Sequence, residues 1–395
     1  MRIPVVHIIT KLELGGAQQN TLFTVSHLDP GRFLPVLITG EAGFLDQEAR
    51  ALPGVRFHQV PALVRPISPV SDLRALVGLS CLLRKLKPTI VHTHSSKAGI
   101  LGRIAAWLAG VPVIIHSIHG FGFTPYQGPV LRRVLIGMER AVGRITTRFF
   151  CVSEANRRMG IATGLFQDGR CTVIRSGIDL SAIRQLRVDV AVKKKELGLA
   201  LKEPVVGMIA PLKPQKAPLD FIRVAGVVHR MRPDVQFLLV GDGELRDAVE
   251  GEVDRLGLRE AVRMLGWRRD NAEVMRCLNV FVLTSLWEGL PRVYLEAIAS
   301  GVPVVGTRVD GVSEVVREGI NGYLVDPGDV PALADRLLSL IGDPEQAARM
   351  GEAGRSLPSE FDIYEMVRRQ EKEYDALVSG LQKRSRMEEV RSVIH

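Results

Sequence analysis

The sequence predicts an α/β protein made of two doubly wound parallel-sheet domains facing a central cleft. Three observations predict it. The chain has 395 residues, too many for one ordinary hydrophobic core. Short apolar runs alternate with helical stretches from end to end, as parallel strands covered on both faces do. That series stops at a charged stretch around Lys193, Lys194 and Lys195 and restarts near residue 205, so the strands fall into two sets. Doubly wound sheets take ligands at the carboxyl ends of their strands, which points to the cleft.

In the first set the strand-like runs are 5–10, 34–39, 90–93, 112–118, 148–153 and 171–174. The first leads into Lys11 and Glu13 without a signal-peptide cleavage pattern. It ends at Gly15-Gly16, before a helix over 18–28. Two glycines there are either an ordinary strand-to-helix turn or a loop that lets backbone approach a phosphate. The fourth run carries His116 in its interior and His119 just past its end, before a glycine-rich loop, where a side chain can reach a ligand. His92 and His94 are weaker candidates on the preceding run. The loop holds Phe121, Phe123 and Tyr126. After it, Arg132, Arg140, Arg144 and Arg148 share one helical face, with Leu131, Val134, Leu135, Met138 and Val142 on the other. That arginine face is either simply solvated or a membrane-docking face, with the loop aromatics near the interface.

The second set runs 205–210, 235–240, 263–266, 280–284, 302–306 and 322–325. Lys213 and Lys216 follow its first strand, and Gly241-Asp242-Gly243 ends its second. As a dinucleotide fingerprint that turn is incomplete, because no third glycine follows in place. After the fourth strand the chain reads Glu288-Gly289-Leu290-Pro291, then a helix to Ser300-Gly301. Pro291 suits a first helical turn, and the N–H groups of Gly289 and Leu290 are a ready anion site. Glu296 stands in the second turn, roughly 12 Å along at 1.5 Å per residue. Two carboxylates so far apart flank a charged middle rather than share one bond. An amphipathic helix over 361–379 and a charged end close the chain.

Composition narrows the partners. Apolar residues make up 46%, yet no stretch reaches the 18 or so needed to span a bilayer. Residues 1–175 carry 21 Lys+Arg against 9 Asp+Glu, and the rest 31 against 34, so the first half is basic (+12) and the second near neutral (−3). An anionic membrane surface or lipid-phosphate acceptor fits that better than nucleic acid, for which no binding module is visible. Cys81, Cys151, Cys171 and Cys277 show no paired spacing, and a reduced cytosolic location at the inner face of the cytoplasmic membrane is expected. No Cys/His metal cluster is visible in the spacing.

The run Glu288–Glu296 resembles the E-x7-E signature of the family 4 retaining glycosyltransferases (glycosyl transferases group 1), which have the GT-B fold of two Rossmann-like domains. The resemblance runs in order from Gly15 to about Tyr374. It implies an acceptor-side domain at 1–178, a nucleotide-sugar domain at 179–361 and a helix at about 362–395 packing back on the first. It implies that Gly15-Gly16 face the donor pyrophosphate and that His119, in a motif similar to the family's H-G site, reaches the donor sugar or its phosphate. Lys216 matches the lysine of G-R-L-x-x-x-K-G, but Pro211 stands at the arginine and Ala217 at the final glycine; Lys213 is the available substitute, without the guanidinium fork. The resemblance also implies that Gly241 lines the base pocket, that Glu288 binds sugar hydroxyls and that Glu296 binds the ribose. Asp310-Gly311-Val312-Ser313-Glu314 resembles G-G-x-x-E with an aspartate at the first glycine, and Ser176 replaces the asparagine of N-G-V-D.

The expected reaction is transfer of a hexosyl unit from a UDP- or GDP-sugar to an acceptor hydroxyl, with retention, in envelope polysaccharide, lipopolysaccharide or glycolipid synthesis. His119, Glu288 and Lys216 are the catalytic candidates. Gly15, Gly16, Lys213, Gly241, Gly289, Leu290 and Glu296 are the donor-binding candidates, and Phe121, Phe123, Tyr126, Arg132 and Arg140 lie on the acceptor or membrane side. The partners are then a nucleotide-sugar donor, a glycan or lipid-linked acceptor and an anionic membrane. With no Asp-x-Asp motif, neither metal nor cofactor is expected. The alternatives are a nucleotide-sugar epimerase of the same fold, an NAD-dependent oxidoreductase and a catalytically dead binding subunit.

Overall fold

The computed structural model describes residues 2–394, of which 384–394 are described as backbone. The chain divides into two compact units, Met1–Gly177 with Ile363–His395, and Ile178–Asp362. The first holds a sheet of β1 (Ile3–Ile9), β2 (Phe33–Thr39), β3 (Arg56–Gln59), β4 (Ile90–His94), β5 (Val113–Ile118), β6 (Arg148–Cys151) and β7 (Cys171–Val173). All pair in parallel, in the order β3-β2-β1-β4-β5-β6-β7. The second holds β8 (Val205–Ile209), β9 (Gln236–Val240), β10 (Val262–Met264), β11 (Val280–Leu283), β12 (Val304–Thr307) and β13 (Gly322–Val325), again parallel, in the order β10-β9-β8-β11-β12-β13. Each sheet reverses its winding beside its first strand, at β1/β4 and at β8/β11. Loops leaving such a switch point diverge, and the gap between them is where a ligand fits.

All twelve predicted runs are strands, with ends shifted by a residue or two. The sequence missed β3, Arg-Phe-His-Gln, a partly exposed edge strand that lacks the apolar run of its neighbours. Helices cover both faces of the first sheet. On one side α1 (Gly16–His27) follows β1, while α2 (Pro69–Leu86) and α3 (Ser96–Leu108) cover the other, where Leu79, Leu83, Ala98 and Ala105 meet Val6, Ile8, Val36 and Val91. In the first unit α4 (Pro129–Gly143) precedes β6, and in the second α5 (Arg292–Ala299) follows β11. The last helix, α6 (Ile363–Ile394), lays Ile363, Met366, Val367 and Tyr374 against Val5, Phe33, Ile90 and Ile115. Alternation along β1 therefore turns Val6 and Ile8 towards α2 and α3, and Val5 and His7 towards α6.

The arginine face needs correction. α4 ends at Gly143, Arg144 is its cap residue and Arg148 opens β6, so the four arginines do not share one helix. The apolar face is also divided. Leu135 and Val142 turn inward with Ile136, but Val130, Leu131, Val134 and Met138 are exposed. The cause is Arg103 of α3, which is fully buried. Its Nη2 pairs with Glu139 Oε2 at 2.6 Å, its Nε donates to Gly99 O and its Nη1 to Thr146 Oγ1. A charged partner claims the inward face of α4, which leaves a stripe of apolar side chains outside.

Candidate functional site

At the switch point of the second unit, the loop after β8 and the loop after β11 are stitched together. The first contains the short turn Pro214–Lys216, closed by Ala217 in the left-handed region at φ 43°. Thr284 Oγ1 donates to the carbonyls of Lys216 and Ala217, both at 2.9 Å. The Leu286 N–H donates to Gln215 O at 2.8 Å, and Gln215 Nε2 to Trp287 O at 2.9 Å. These bonds fix Lys216 opposite Glu288, and its Nζ donates to Glu288 Oε1. Ser285 Oγ donates to the same oxygen at 2.6 Å. Glu288 is only 6% exposed, so these partners offset the cost of burying its charge.

Asp310 approaches from the loop after β12. Its Oδ2 accepts the Glu288 N–H at 2.6 Å, which orients the backbone beneath the carboxylate. Asp310 holds φ 39°, a conformation glycine adopts freely, so the hydrogen bond is obtained at the cost of left-handed strain. Tyr294, the third residue of α5, donates its hydroxyl to Leu283 O at 3.2 Å, and its burial together with Glu288 pushes the phenol well above its usual range. The amides of Gly289 and Leu290 have no acceptor among the described residues. Pro291 caps α5 from outside rather than opening it, and Glu296 stands in the second turn with Arg292 Nη2 at 3.9 Å. Gly241 lies beside the same loops: the Leu212 N–H donates to Asp242 O at 3.0 Å, and a Cβ on Gly241 would meet Ala210 O at 2.0 Å. Lys213 and the partly exposed Pro211 precede the turn, and no arginine occupies that place.

In the first unit, Gly15 is the N-cap of α1 in extended backbone, and Gly16 is its first residue, exposed to solvent. His119 follows β5 and is partly exposed. Its Nε2 lies 3.1 Å from His94 Nδ1, and His94 Nε2 lies 3.0 Å from His7 Nδ1. Burial lowers His119 to about 4 and His7 to about 3, and holds His92, His94 and His116 well below an ordinary imidazole. All five rings are therefore neutral at pH 7. His116 packs on Gly99 with Thr93 Oγ1 at 2.9 Å from its Nδ1 and belongs to the core. The spacing showed no metal cluster, yet the fold brings His7, His92 and His94 together, with ligand atoms within 4.8 Å of one another. The sequence signal was available: three histidines inside otherwise apolar strands at a switch point.

Phe123 is 5% exposed and stacks on Phe121 at 4.7 Å, so it is a core residue and not an interface aromatic. Tyr126 is 55% exposed. Arg132 is partly buried, and Arg140 donates from Nε to Thr163 O at 2.5 Å. No helix among the described residues is long and apolar enough to cross a membrane. Sequence reasoning missed Ser285 beside Glu288 and Tyr374, whose hydroxyl lies 2.6 Å from His92 Nδ1, and read Asp310 only as a departure.

Residues 189–357 match the family model of the glycosyl transferases group 1, and residues 15–177 match the glycosyl transferase 4-like domain. The chain is 34% identical over 349 residues to the UDP-Gal:alpha-D-GlcNAc-diphosphoundecaprenol alpha-1,3-galactosyltransferase of Escherichia coli, covering 87% of this chain and 89% of that protein. It is 28% identical over 302 residues to the capsular polysaccharide biosynthesis glycosyltransferase CapM of Staphylococcus aureus, covering 75% and 79%. In fold it is similar to Anabaena HepE, solved in complex with UDP and glucose, with a TM-score of 0.80 at 22% identity over 95% of this chain and 100% of that one. The chain thus has the GT-B fold and belongs to the glycosyl transferases group 1, in family 4 of the glycosyltransferases.

Proposed function

We propose that this chain transfers a hexosyl unit from a UDP-sugar to a hydroxyl of a lipid-linked saccharide, with retention and without a metal ion. The observation that carries the reading is the Lys216–Glu288 pair, which joins the two loops of the switch point and is held by Ser285 and, from the loop after β12, by Asp310. A donor offers that pair two exchanges. Its diphosphate takes the Lys216 ammonium, and its sugar hydroxyls take the Glu288 carboxylate, so neither charge is left unpaired when they separate. The amides of Gly289 and Leu290 add donors for the phosphate, and Glu296 takes the ribose hydroxyls. From the first unit, the Gly15-Gly16 amides and the His119 ring supply groups of matching chemistry for phosphate and sugar. The acceptor oxygen attacks C1 on the face the nucleotide leaves. The C1–O bond to phosphate breaks, the new C1–O bond forms, and the acceptor proton passes to the departing phosphate oxygen.

Similarity over most of both chains to a transferase acting with UDP-Gal on GlcNAc-diphosphoundecaprenol supports UDP over GDP and a lipid-diphosphate acceptor. The outward stripe Val130, Leu131, Val134 and Met138, beside Arg133 and Arg144, supports docking on an anionic membrane at its cytoplasmic face. The test supplies UDP-galactose, UDP-glucose or GDP-mannose, with and without GlcNAc-diphosphate-lipid. UDP release is measured, and the anomeric configuration of the product is read by NMR. Lys216→Ala and Glu288→Gln should each lower kcat/KM about 10²–10³-fold in folded protein. Full activity in both variants would sink the assignment, and an inverted product would sink retention.

A further inference from the structure

The imidazole contacts behind His119 do not end at His7. Tyr374 of α6 places its hydroxyl 3.5 Å from His7 Nε2 and 2.6 Å from His92 Nδ1. His92 Nε2 is 2.7 Å from Ser117 Oγ. Ser117, His94 and His119 all line one small recess at the carboxyl end of the first sheet, together with Asn20, Thr24 and Gln370. The contacts therefore form a loop with both ends in the same recess: His119, His94, His7, Tyr374, His92, Ser117. The ring planes of His7 and His94 are within 9° of parallel, with the two nitrogens 3.0 Å apart. Asn20 is 3% exposed, and neither atom of its amide has a partner among the described residues, so the recess is built to receive a polar group.

We propose that His94, His7, Tyr374 and His92 are positioning residues that set the tautomer of His119, and so decide whether its Nδ1 donates or accepts at the recess. This rests on His119 serving the transfer reaction proposed above. Each neutral imidazole holds one proton, so a chain of them can be ordered in only two directions. In one, Nδ1 of His119 carries a proton and donates. In the other, His119 Nε2–H donates to His94, and Nδ1 presents a lone pair. Passing between them moves one proton per link. Nδ1 of His119 takes a proton from the recess and Nε2 releases one to His94 Nδ1; His94 Nε2 passes one to His7 Nδ1, and His7 Nε2 one to Tyr374. The Tyr374 proton goes to His92 Nδ1, His92 Nε2 gives one to Ser117, and Ser117 returns one to the recess. No group ends charged, which matters where a buried imidazolium is costly.

A divalent cation is the rival occupant of this cluster. Both ring nitrogens of His7, His92 and His94 are taken up in these links, and none of those partners is a carboxylate that could balance such an ion.

Tyr374→Phe opens the circuit while keeping the ring that packs against Phe33 and Phe150. Ser117→Ala opens it at the other end, should the first variant fail to fold. The full-length protein, labelled with ¹⁵N-histidine, is studied by NMR at pH 7 without substrate. The His119 ring nitrogens should move to a different tautomer ratio in either variant. With donor and acceptor, kcat should fall by about tenfold, part of the ~10²–10⁴ that a positioned acid–base group supplies, with the donor KM unchanged. A structural role alone would lower the melting temperature and leave both readouts in place. Unchanged His119 signals, an unchanged kcat, or one equivalent of tightly bound zinc in the purified protein would each overturn the proposal. If wild-type protein transfers no sugar, the proposed function fails, while the NMR readout still decides the circuit.

Discussion

Acidification should unfold the first unit well before the second. An unfolded histidine titrates near pH 6.5, whereas burial holds His7 at about 3 and His92, His94 and His116 well below the free value. The unfolded chain therefore takes up protons that the folded chain refuses. Stability is fully present above about pH 6.5 and is lost as the pH falls below it. Between pH 7 and pH 5, each ring whose folded value lies far under 5 removes roughly 2 kcal/mol. His7, held at about 3, loses that amount on its own, and His92, His94 and His116 add to the loss in the same direction. Whole domains are stable by only about 5–15 kcal/mol. The second unit, Ile178–Asp362, has one histidine, His229. Among its carboxylates, Asp234, Glu252 and Asp270 are held low chiefly by arginine partners and Glu196 by Lys193, so their stability is lost only near and below the usual carboxylate range, while burial raises Asp310. Calorimetry at half-unit pH steps, with hydrogen exchange read by mass spectrometry, assigns each transition to its unit. The expected result is a steep fall of one transition between pH 7 and 5, carried by peptides from β1, β4 and β5. A first-unit transition that stays level or rises across that interval would refute the burial of these rings as neutral groups.

Two further perturbations test the packing that orients α4. Glu139→Ala leaves the fully buried Arg103 guanidinium without its counter-charge and should cost about 3–5 kcal/mol, read as a drop in the first unit's melting transition alone. Val134→Asp puts a charge into the outward stripe and should weaken co-sedimentation with anionic vesicles by about tenfold, the equivalent of losing one buried aliphatic side chain at ~1.5 kcal/mol; binding equal to wild type would remove α4 from the docking surface.

The strands were legible because burial on both faces writes an unbroken apolar run, and β3 was not because an edge strand of four residues carries Arg56, His58 and Gln59. Local motifs likewise placed Lys216 after one strand and Glu288 after another, since each depends on a few adjacent residues. What joins them does not. The Lys216–Glu288 contact spans 72 positions and the His92–Tyr374 contact 282, and a single sequence carries no signal for a pairing at such range. The inverted face of α4 has the same origin: Arg103 and Glu139 stand 36 apart, so a period computed along α4 assigns the inward side to the wrong apolar residues.

Two of the departures from the family pattern acquire a joint meaning only in three dimensions. Pro211 removes an expected cation, and Asp310 adds a carboxylate whose oxygen already holds the Glu288 amide. The switch-point loops of the second unit therefore carry less positive charge than the motif implies, and the Lys216 ammonium already pairs with Glu288. Under the proposed function, binding a diphosphate there requires breaking that pair, so the sugar that satisfies Glu288 and the phosphate that takes Lys216 must arrive together. A nucleotide without its sugar leaves the buried carboxylate short of a partner, whereas the intact donor supplies one. On that proposal, the arrangement favours donor over product at the same loops through charge pairing.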